Sequence, residues 1–472
     1  MKEMKHIVAA AAMASVCTFS FADEPVVPVV SDVTMAQSGN KSVTIGYTLS
    51  NAPAVVTLDI ETNTLANGEG EWVSIGGENI QNFSVGSEVW RKVEDTPDHR
   101  HAIKWHPDLS WPGHAIAAGG IRAVVKAWSL DNTPDYMVVP IVAGAQPNTQ
   151  RYYPSAEFLP GGDHNPEYRL NALLMRRCNA KNVIWTMGSS SETGRYRNAS
   201  DPFDRETAHP VMLTNNYYIG VYEITQAQWN QIQVDYRPDP SYFSDPAVKQ
   251  MRPVERVSWY DIRVHQSNNT SNMNYLWPNA PNPSSFLGRL RSRTGIDDFD
   301  LPSEAEWEFA CRAGNGEGCW GDGSAILAGA KSNDANLSRL ARYYASGGYV
   351  NGESGTGGTA PAADNVNTNG TAVCGSYLPN AWGIYDMHGN VSEWCLDIFE
   401  YDITHHDGRV NVDPADPSKD LDGNETFGYR VQRGGCYGDD PQWCRSAMRV
   451  RTGSNGRGLD IGFRVACRAG LK

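Results

Sequence analysis

From Gly314 to Pro379 the chain shows little apolar periodicity and is rich in Gly, Asn, Ser and Thr. An irregular stretch of that length in a compact domain is normally functional or pinned by ligands. It points to a loop-rich fold. The composition agrees, because 45 Gly, 14 Trp and 21 Tyr set against 40% hydrophobic residues suit a β or α+β protein whose aromatics supply much of the buried area.

The N-terminus reads as an export signal. Lys2, Lys5 and His6 precede an apolar run from Ile7 to Phe21, and Ser20-Phe21-Ala22 offers small residues at the two positions a signal peptidase reads. The mature chain is therefore expected to begin at Asp23. The run is too short to span ~30 Å of hydrocarbon, and no later segment approaches the ~20 apolar residues a span needs. Ala14-Ser15-Val16 before Cys17 is a poor lipidation site. A soluble protein, periplasmic or extracellular, is expected. The net charge of −14 argues against nucleic acid and anionic membrane as partners, since a phosphate-binding face needs clustered Lys and Arg.

About 450 residues remain after the signal, enough for two or three domains. Between Asp32 and Ile141 apolar residues alternate in short runs: Val43, Ile45, Tyr47 and Leu49; Val56, Leu58 and Ile60; Ile103 and Trp105; Ile121, Ala123, Val125 and Ala127. Period-two runs divided by turn residues predict an all-β sandwich of fibronectin-III or immunoglobulin kind over residues 23–145. His99, His101, His106 and His114 are read there as surface residues. Residues 146–154 read as a linker.

Beyond it, Val183–Ser189 and Tyr217–Ile224 read as strands. Thr225 with Gln228 and Ser303 with Glu306 have capping-box spacing, and Pro253–Asp261 is a strand turning into another capped helix. Eight cysteines follow the signal, at 178, 311, 319, 374, 395, 436, 444 and 467. An even number in an exported chain is compatible with disulfides, and the absence of a Cys-x-x-Cys pair leaves no support for a zinc ribbon or thioredoxin-type motif.

Several segments in order resemble the sulfatase-modifying-factor family, whose best-known members are the formylglycine-generating enzymes. They are Met187-Gly188-Ser189, residues 217–229, 253–261, Leu301-Pro-Ser-Glu-Ala-Glu-Trp-Glu-Phe-Ala310, Gly383-Ile-Tyr-Asp-Met-His-Gly-Asn-Val-Ser-Glu-Trp394, and the terminal Arg433-Gly434-Gly435 and Gly462-Phe463-Arg464. The resemblance covers residues 155–472. It implies a C-type-lectin-like α+β fold with much irregular loop, structural calcium and one or two disulfides, with Cys311–Cys467 the candidate pair.

Two chemical readings arise within these motifs. Glu304, Glu306 and Glu308 occupy alternate helix positions and do not share a face, so they are not a natural acid/base pair. Asn390 and Glu393 supply amide and carboxylate oxygens on one short segment, as a hard cation requires. By resemblance, Asn390, the Val391 carbonyl and Glu393 bind calcium, with His388 in a turn that presents oxygen ligands. The Asn336 side chain and Leu337 carbonyl resemble the start of a second calcium site.

Formylglycine-generating enzymes oxidise a cysteine in sulfatases with oxygen and copper(I), held between two cysteines in Ser-x-x-Cys-x-x-x-x-Cys after the Gly-Gly. Aligned without a gap, Cys436 stands at the serine, Asp439 at the first copper cysteine and Cys444 at the second. A hard carboxylate does not replace a thiolate toward copper(I), so the oxidase mechanism is expected to be absent as written. Cys436 and Cys444 remain candidates for a displaced copper pair, for a mutual disulfide, or for disulfides to Cys319, Cys374 or Cys395. The His-x-x-x-His-x-Glu segment of related sulfoxide synthases has no counterpart.

Two functions follow. One is an exported, formylglycine-generating-type O2-dependent oxidoreductase acting on a secreted or periplasmic sulfatase. The other is a non-catalytic lectin-like module binding an extracytoplasmic protein or glycan through Trp320, Tyr343, Tyr344, Tyr349, Trp382 and Trp443, beside the sandwich.

Overall fold

The computed structural model describes residues 27–38, 41–65, 69–116, 119–189, 206–265, 275, 277–316, 318–327, 333–346, 370–400, 409–414 and 428–468. The signal segment and Tyr349 lie outside them. No helix among the described residues is long and apolar enough to cross a membrane.

The N-terminal region forms two small antiparallel sheets. Strands β1 (Val29–Gln37), β2 (Val43–Ser50) and β6 (Arg100–Trp105) make one, and β3 (Ala54–Asn63) with β4 (Trp72–Ser74), β5 (Arg91–Val93) and β7 (Ile121–Trp128) makes the other. In β2 the residues Val43, Ile45, Tyr47 and Leu49 are buried while their neighbours are more exposed, as period-two alternation requires. His101, expected at the surface, is buried: its ring stacks on Tyr47 and its Nδ1 lies 2.9 Å from Glu88.

The expected boundary moves. Strands β8 (Tyr136–Pro140) and β9 (Arg151–Tyr153), assigned from sequence to the sandwich and linker, join β10 (Ala172–Cys178) in a third, larger sheet. With β13 (Tyr217–Gly220), β14 (Phe299–Asp300) and β20 (Ala466–Cys467) its order is β14-β20-β13-β10-β8-β9. One hydrophobic core runs from Ile45, Leu58 and Trp105 to Leu174, Val221 and Tyr222, so the two regions share buried surface.

Four helices are short and capped by side chains. Helix α1 (Gln226–Ile232), α2 (Trp259–Arg263) and α4 (Glu304–Arg312) each carry a complete capping box, from Thr225/Gln228, Ser258/Asp261 and Ser303/Glu306, while Ser285 caps α3 (Phe286–Thr294). Every residue of α4 is buried. A helix enclosed on all sides must pair its charges, and α4 does so. Glu304 pairs with Arg449 at 2.5 Å, Glu306 with Arg468 at 2.5 Å, and Glu308 with both Arg312 and Arg433. The three glutamates are structural ion pairs.

The terminal block forms the sheet β18-β17-β15-β19, from β15 (Ser392–Ile398), β17 (Tyr429–Arg433), β18 (Val450–Gly453) and β19 (Ile461–Gly462), and β11 (Ile184–Met187), β12 (His209–Met212) and β16 (Asn411–Val412) make a further small sheet. The Gly434-Gly435 pair has a backbone reason: φ is +92° and +69°. A Cβ on Gly435 would lie 2.7 Å from the Trp443 carbonyl and 2.9 Å from Cys444 Sγ. Only glycine lets the chain turn that close to the cysteine loop.

One acid on β15 has a measurable pH signature. Asp397 accepts from the Glu304 amide at 2.7 Å, and burial, then the Glu304 charge, pushes its carboxyl from 3.8 up to about 8. A carboxyl raised on folding contributes stability that is full below 3.8 and is lost as pH rises through about 8. Asp397→Asn is therefore expected to stabilise the protein by on the order of 1–2 kcal/mol at pH 8 and to be near neutral at pH 4. Urea denaturation of both proteins at the two pH values checks it; equal effects would remove Asp397 as the titrating group.

Candidate functional site

The cysteine loop begins where Gly435 turns. The Cys436 amide donates to Asp439 Oδ2 at 2.9 Å, and the Asp439 amide donates back to the Cys436 carbonyl at 3.1 Å. Tyr344 N–H donates to the Asp439 carbonyl at 2.9 Å. Asp439 thus closes its own turn. Burial pushes its carboxyl from 3.8 up to about 6, against the lowering effect of the Cys436 contacts.

Cys444 ends the one-turn helix Pro441–Cys444 and is fully buried among Trp320, Leu337 and Tyr343. Burial holds its thiol well above the usual range, and the Asp439 charge raises it further. Cys436 is likewise raised, by burial and then by Asp439. Both are thiols, not poised thiolates. His388 fixes the loop from the other side: Nδ1 donates to the Cys444 carbonyl at 2.8 Å, while Nε2 accepts from Gly321 N–H at 2.8 Å. Those partners define the tautomer, and burial depresses the ring to about 4, so it stays neutral.

Among the described residues none of the eight cysteines is in a disulfide. Cys311 and Cys467 are not brought together. Cys311 Sγ lies 3.5 Å from Ser446 Oγ in the cluster around α4, whereas Cys467 sits on β20 in a different core cluster. Flanking two family motifs does not place two residues on the same side of a sheet.

The proposed calcium segment is built as a polar knot. Asn390 is buried at φ +63°, its Nδ2 donates to Glu223 Oε2 at 2.6 Å, and its Oδ1 accepts from Ala372 N–H at 2.8 Å. Val391 N–H donates to Glu223 Oε1 at 3.2 Å. Glu393 is held by Arg464, at 2.7 Å from Nε and 2.5 Å from Nη2, and by Trp307 Nε1 at 2.8 Å. Next to Asn390 lie Glu223, Asp386 and Cys374, whose candidate ligand atoms all lie within 4.8 Å of one another. Burial, then the neighbouring acids, holds Glu223 well above the usual carboxylate range. Asp386 is raised to about 6, chiefly by burial.

Sequence reasoning missed Glu223 and Asp386. Their signal is a carboxylate inside an otherwise apolar run, Tyr217–Ile224 for the first and Ile384–Met387 for the second. At the other expected cation segment, the amides of Asn336 and Leu337 both donate to Asp334 Oδ1 at 3.0 Å, and Asn336 Nδ2 donates to the Ala325 carbonyl. That turn starts the one-turn helix Leu337–Leu340.

Of the expected aromatic surface, Trp320 and Tyr343 are instead core, both fully buried. Trp320 Nε1 is used by the Ala325 carbonyl and the Tyr343 hydroxyl by Ser338, so each polar edge is satisfied inside. Trp382 faces a cavity of about 570 Å³ that Trp185, Phe309, Arg312, Cys319 and Arg445 also line. Phe309 makes edge contacts with Trp185 at 5.4 Å and Trp382 at 5.3 Å. The arginines are spent on Glu308 and Glu206.

The sulfatase-modifying factor enzyme 1-like domain matches residues 171–469. The chain belongs to that family. The chaperone protein LppX of Paenibacillus barcinonensis is 28% identical over 265 residues, 53% of this chain and 80% of that protein. The formylglycine-generating enzyme of Mus musculus is 24% identical over 315 residues, 60% of this chain and 72% of that enzyme. Among solved structures, Treponema denticola variable protein 1 aligns with a TM-score of 0.41 at 24% identity, covering 63% of this chain and 96% of its own. The family explains the α+β architecture with short elements and long loops.

Proposed function

We propose that this chain is an exported, formylglycine-generating-enzyme-like protein of the sulfatase-modifying-factor family in which the two-thiol copper(I) oxidation of a protein cysteine does not operate. Asp439 carries this reading. In register with the first copper cysteine, it puts a carboxylate where a thiolate is needed and uses that carboxylate to close its own turn on the Cys436 amide. Copper(I) selects soft sulfur donors, so one buried thiol beside a carboxylate is a poor site. Export is supported by the leader-like N-terminus. A structural cation beside Asn390, calcium by family resemblance, is supported by the surplus of buried carboxylates there.

The comparisons do not favour the second reading, a non-catalytic lectin-like module for an extracytoplasmic protein or glycan, and one feature alone is compatible with it. The cavity beside Trp185, Phe309 and Trp382 has a volume in the usual range for small-molecule sites.

The test is direct. The reduced, signal-cleaved protein is challenged with copper(I) against a chromophoric chelator, then incubated with oxygen and a Cys-x-Pro-x-Arg peptide. No retained copper and no aldehyde are expected. Aldehyde formation that disappears in Cys444→Ser would overturn the proposal.

A further inference from the structure

We propose that Glu223, Cys374 and Asp386 form a site for a thiophilic divalent cation of the zinc class, with Cys374 as a sulfur ligand. The inference rests on the structural cation proposed beside Asn390 and concerns which ion it is.

The geometry comes first. The candidate donor atoms of the three residues lie within 4.8 Å of one another, and all three residues are buried. Donors at about 2.0–2.3 Å around a tetrahedral zinc lie roughly 3.3–3.8 Å apart, so the three groups close by at most about 1.5 Å when the ion binds. Cys374 Sγ already points at Glu223, donating to Oε2 at 3.4 Å. Asp386 uses only one oxygen: Oδ2 accepts from Gly375 N–H at 2.6 Å, while Oδ1 is buried without a hydrogen-bond partner. A buried, unpartnered carboxylate oxygen is costly unless something outside the chain takes it.

The charge balance points the same way. Arg464 and Arg169, the guanidinium groups whose charges act on these carboxylates, are already engaged. Arg464 is spent on Glu393 and on the Gly220 and Tyr385 carbonyls, and Arg169 donates to the Cys374 and His164 carbonyls. Neither hydrogen-bonds to Glu223 or Asp386. A dication supplies the missing positive charge; when it binds, the Cys374 thiol proton leaves to solvent and sulfur becomes an anionic ligand.

The donor set decides the ion. Calcium takes six to eight oxygens, roughly, and gains little from sulfur. Thiolate with carboxylates favours zinc and its first-row neighbours. Cys374 is the one departure from an all-oxygen group in the triad.

Cobalt(II) tests this, because a thiolate ligand gives it a near-ultraviolet charge-transfer band. The full chain, stripped with chelator under reducing conditions, is reloaded with Co2+, Zn2+ or Ca2+ separately. Metal content, the absorption spectrum and the melting temperature are then read. One Co2+ per chain with the sulfur band is expected, as is a larger melting-temperature rise with Zn2+ than with Ca2+. Cys374→Ser should remove the band and weaken Zn2+ binding by about 100-fold or more, beyond the ~10–100-fold cost of losing an outer-shell partner. Cys374→Ala removes the sulfur without adding bulk or a new donor and serves if the serine variant folds poorly. A cation bound without the band, or a band that survives both variants, overturns the sulfur assignment and leaves the structural cation standing. No retained cation and no melting shift would remove both.

Discussion

Arg464→Met is expected to lower stability by about 3–5 kcal/mol, the usual cost of stripping one partner from a buried ion pair. Arg464 and Glu393 are both fully buried, joined through two hydrogen bonds, at 2.7 Å and 2.5 Å. Without the guanidinium, Glu393 keeps only the Trp307 Nε1 donor and faces the Glu223 and Asp386 carboxylates. The Gly220 and Tyr385 carbonyls lose their donor too. In a domain of this size the loss corresponds to a fall in melting temperature of about 10 °C. The double variant Arg464→Met/Glu393→Gln should recover much of it, because the penalty is the unpaired charge rather than the lost contact. Urea unfolding of both, in chelator so that no cation compensates, decides it. A single-variant loss below about 1 kcal/mol would show that the pair is not the anchor its burial implies.

The same pair shows what a sequence can and cannot reveal. Gly462-Phe463-Arg464 and Gly389-Asn390-Val391-Ser392-Glu393 are visible as motifs, but that Arg464 exists to hold Glu393 depends on β15 and β19 pairing in parallel, Glu393 opposite Gly462. Local signals survive folding intact: the capping boxes at Thr225, Ser258 and Ser303 and the alternation in β2 depend only on residues within a turn or a pleat. Long-range placement does not. Cys374 meets Glu223 across 151 positions of sequence, and β8 leaves the sandwich to pair with β10 because Leu174 finds Val138 rather than another N-terminal strand. The aromatic loops mislead for a related reason: Trp320 and Tyr343 occur in a stretch without periodicity, where burial cannot be read from spacing.

Asp439→Cys is the substitution expected to change function most. Cys444 and Asp439 already influence each other, the Asp439 charge being the leading cause after burial of the raised Cys444 thiol. A cysteine at 439 places a second sulfur in register with Cys444 and removes the carboxylate charge that opposes Cys444 ionisation; copper(I), when it binds, offsets the repulsion between the two thiolates as their protons leave to solvent. Copper(I) affinity should rise by more than about 100-fold, since even an outer-shell partner is worth ~10–100-fold and here a ligand of the right softness is added. The cost is the Cys436 N–H bond to Asp439 Oδ2, about 1.5–3 kcal/mol for a hydrogen bond to a charged acceptor. Asp439→Ser carries a similar structural cost without a thiol, and Asp439→Cys/Cys444→Ser has one sulfur again; neither should gain copper(I). A chelator competition on all four proteins separates the outcomes. If the parent chain binds as tightly as Asp439→Cys, then Cys436 and Cys444 already form the pair, and the carboxylate at 439 is a turn residue beside a working copper site rather than the reason for its loss.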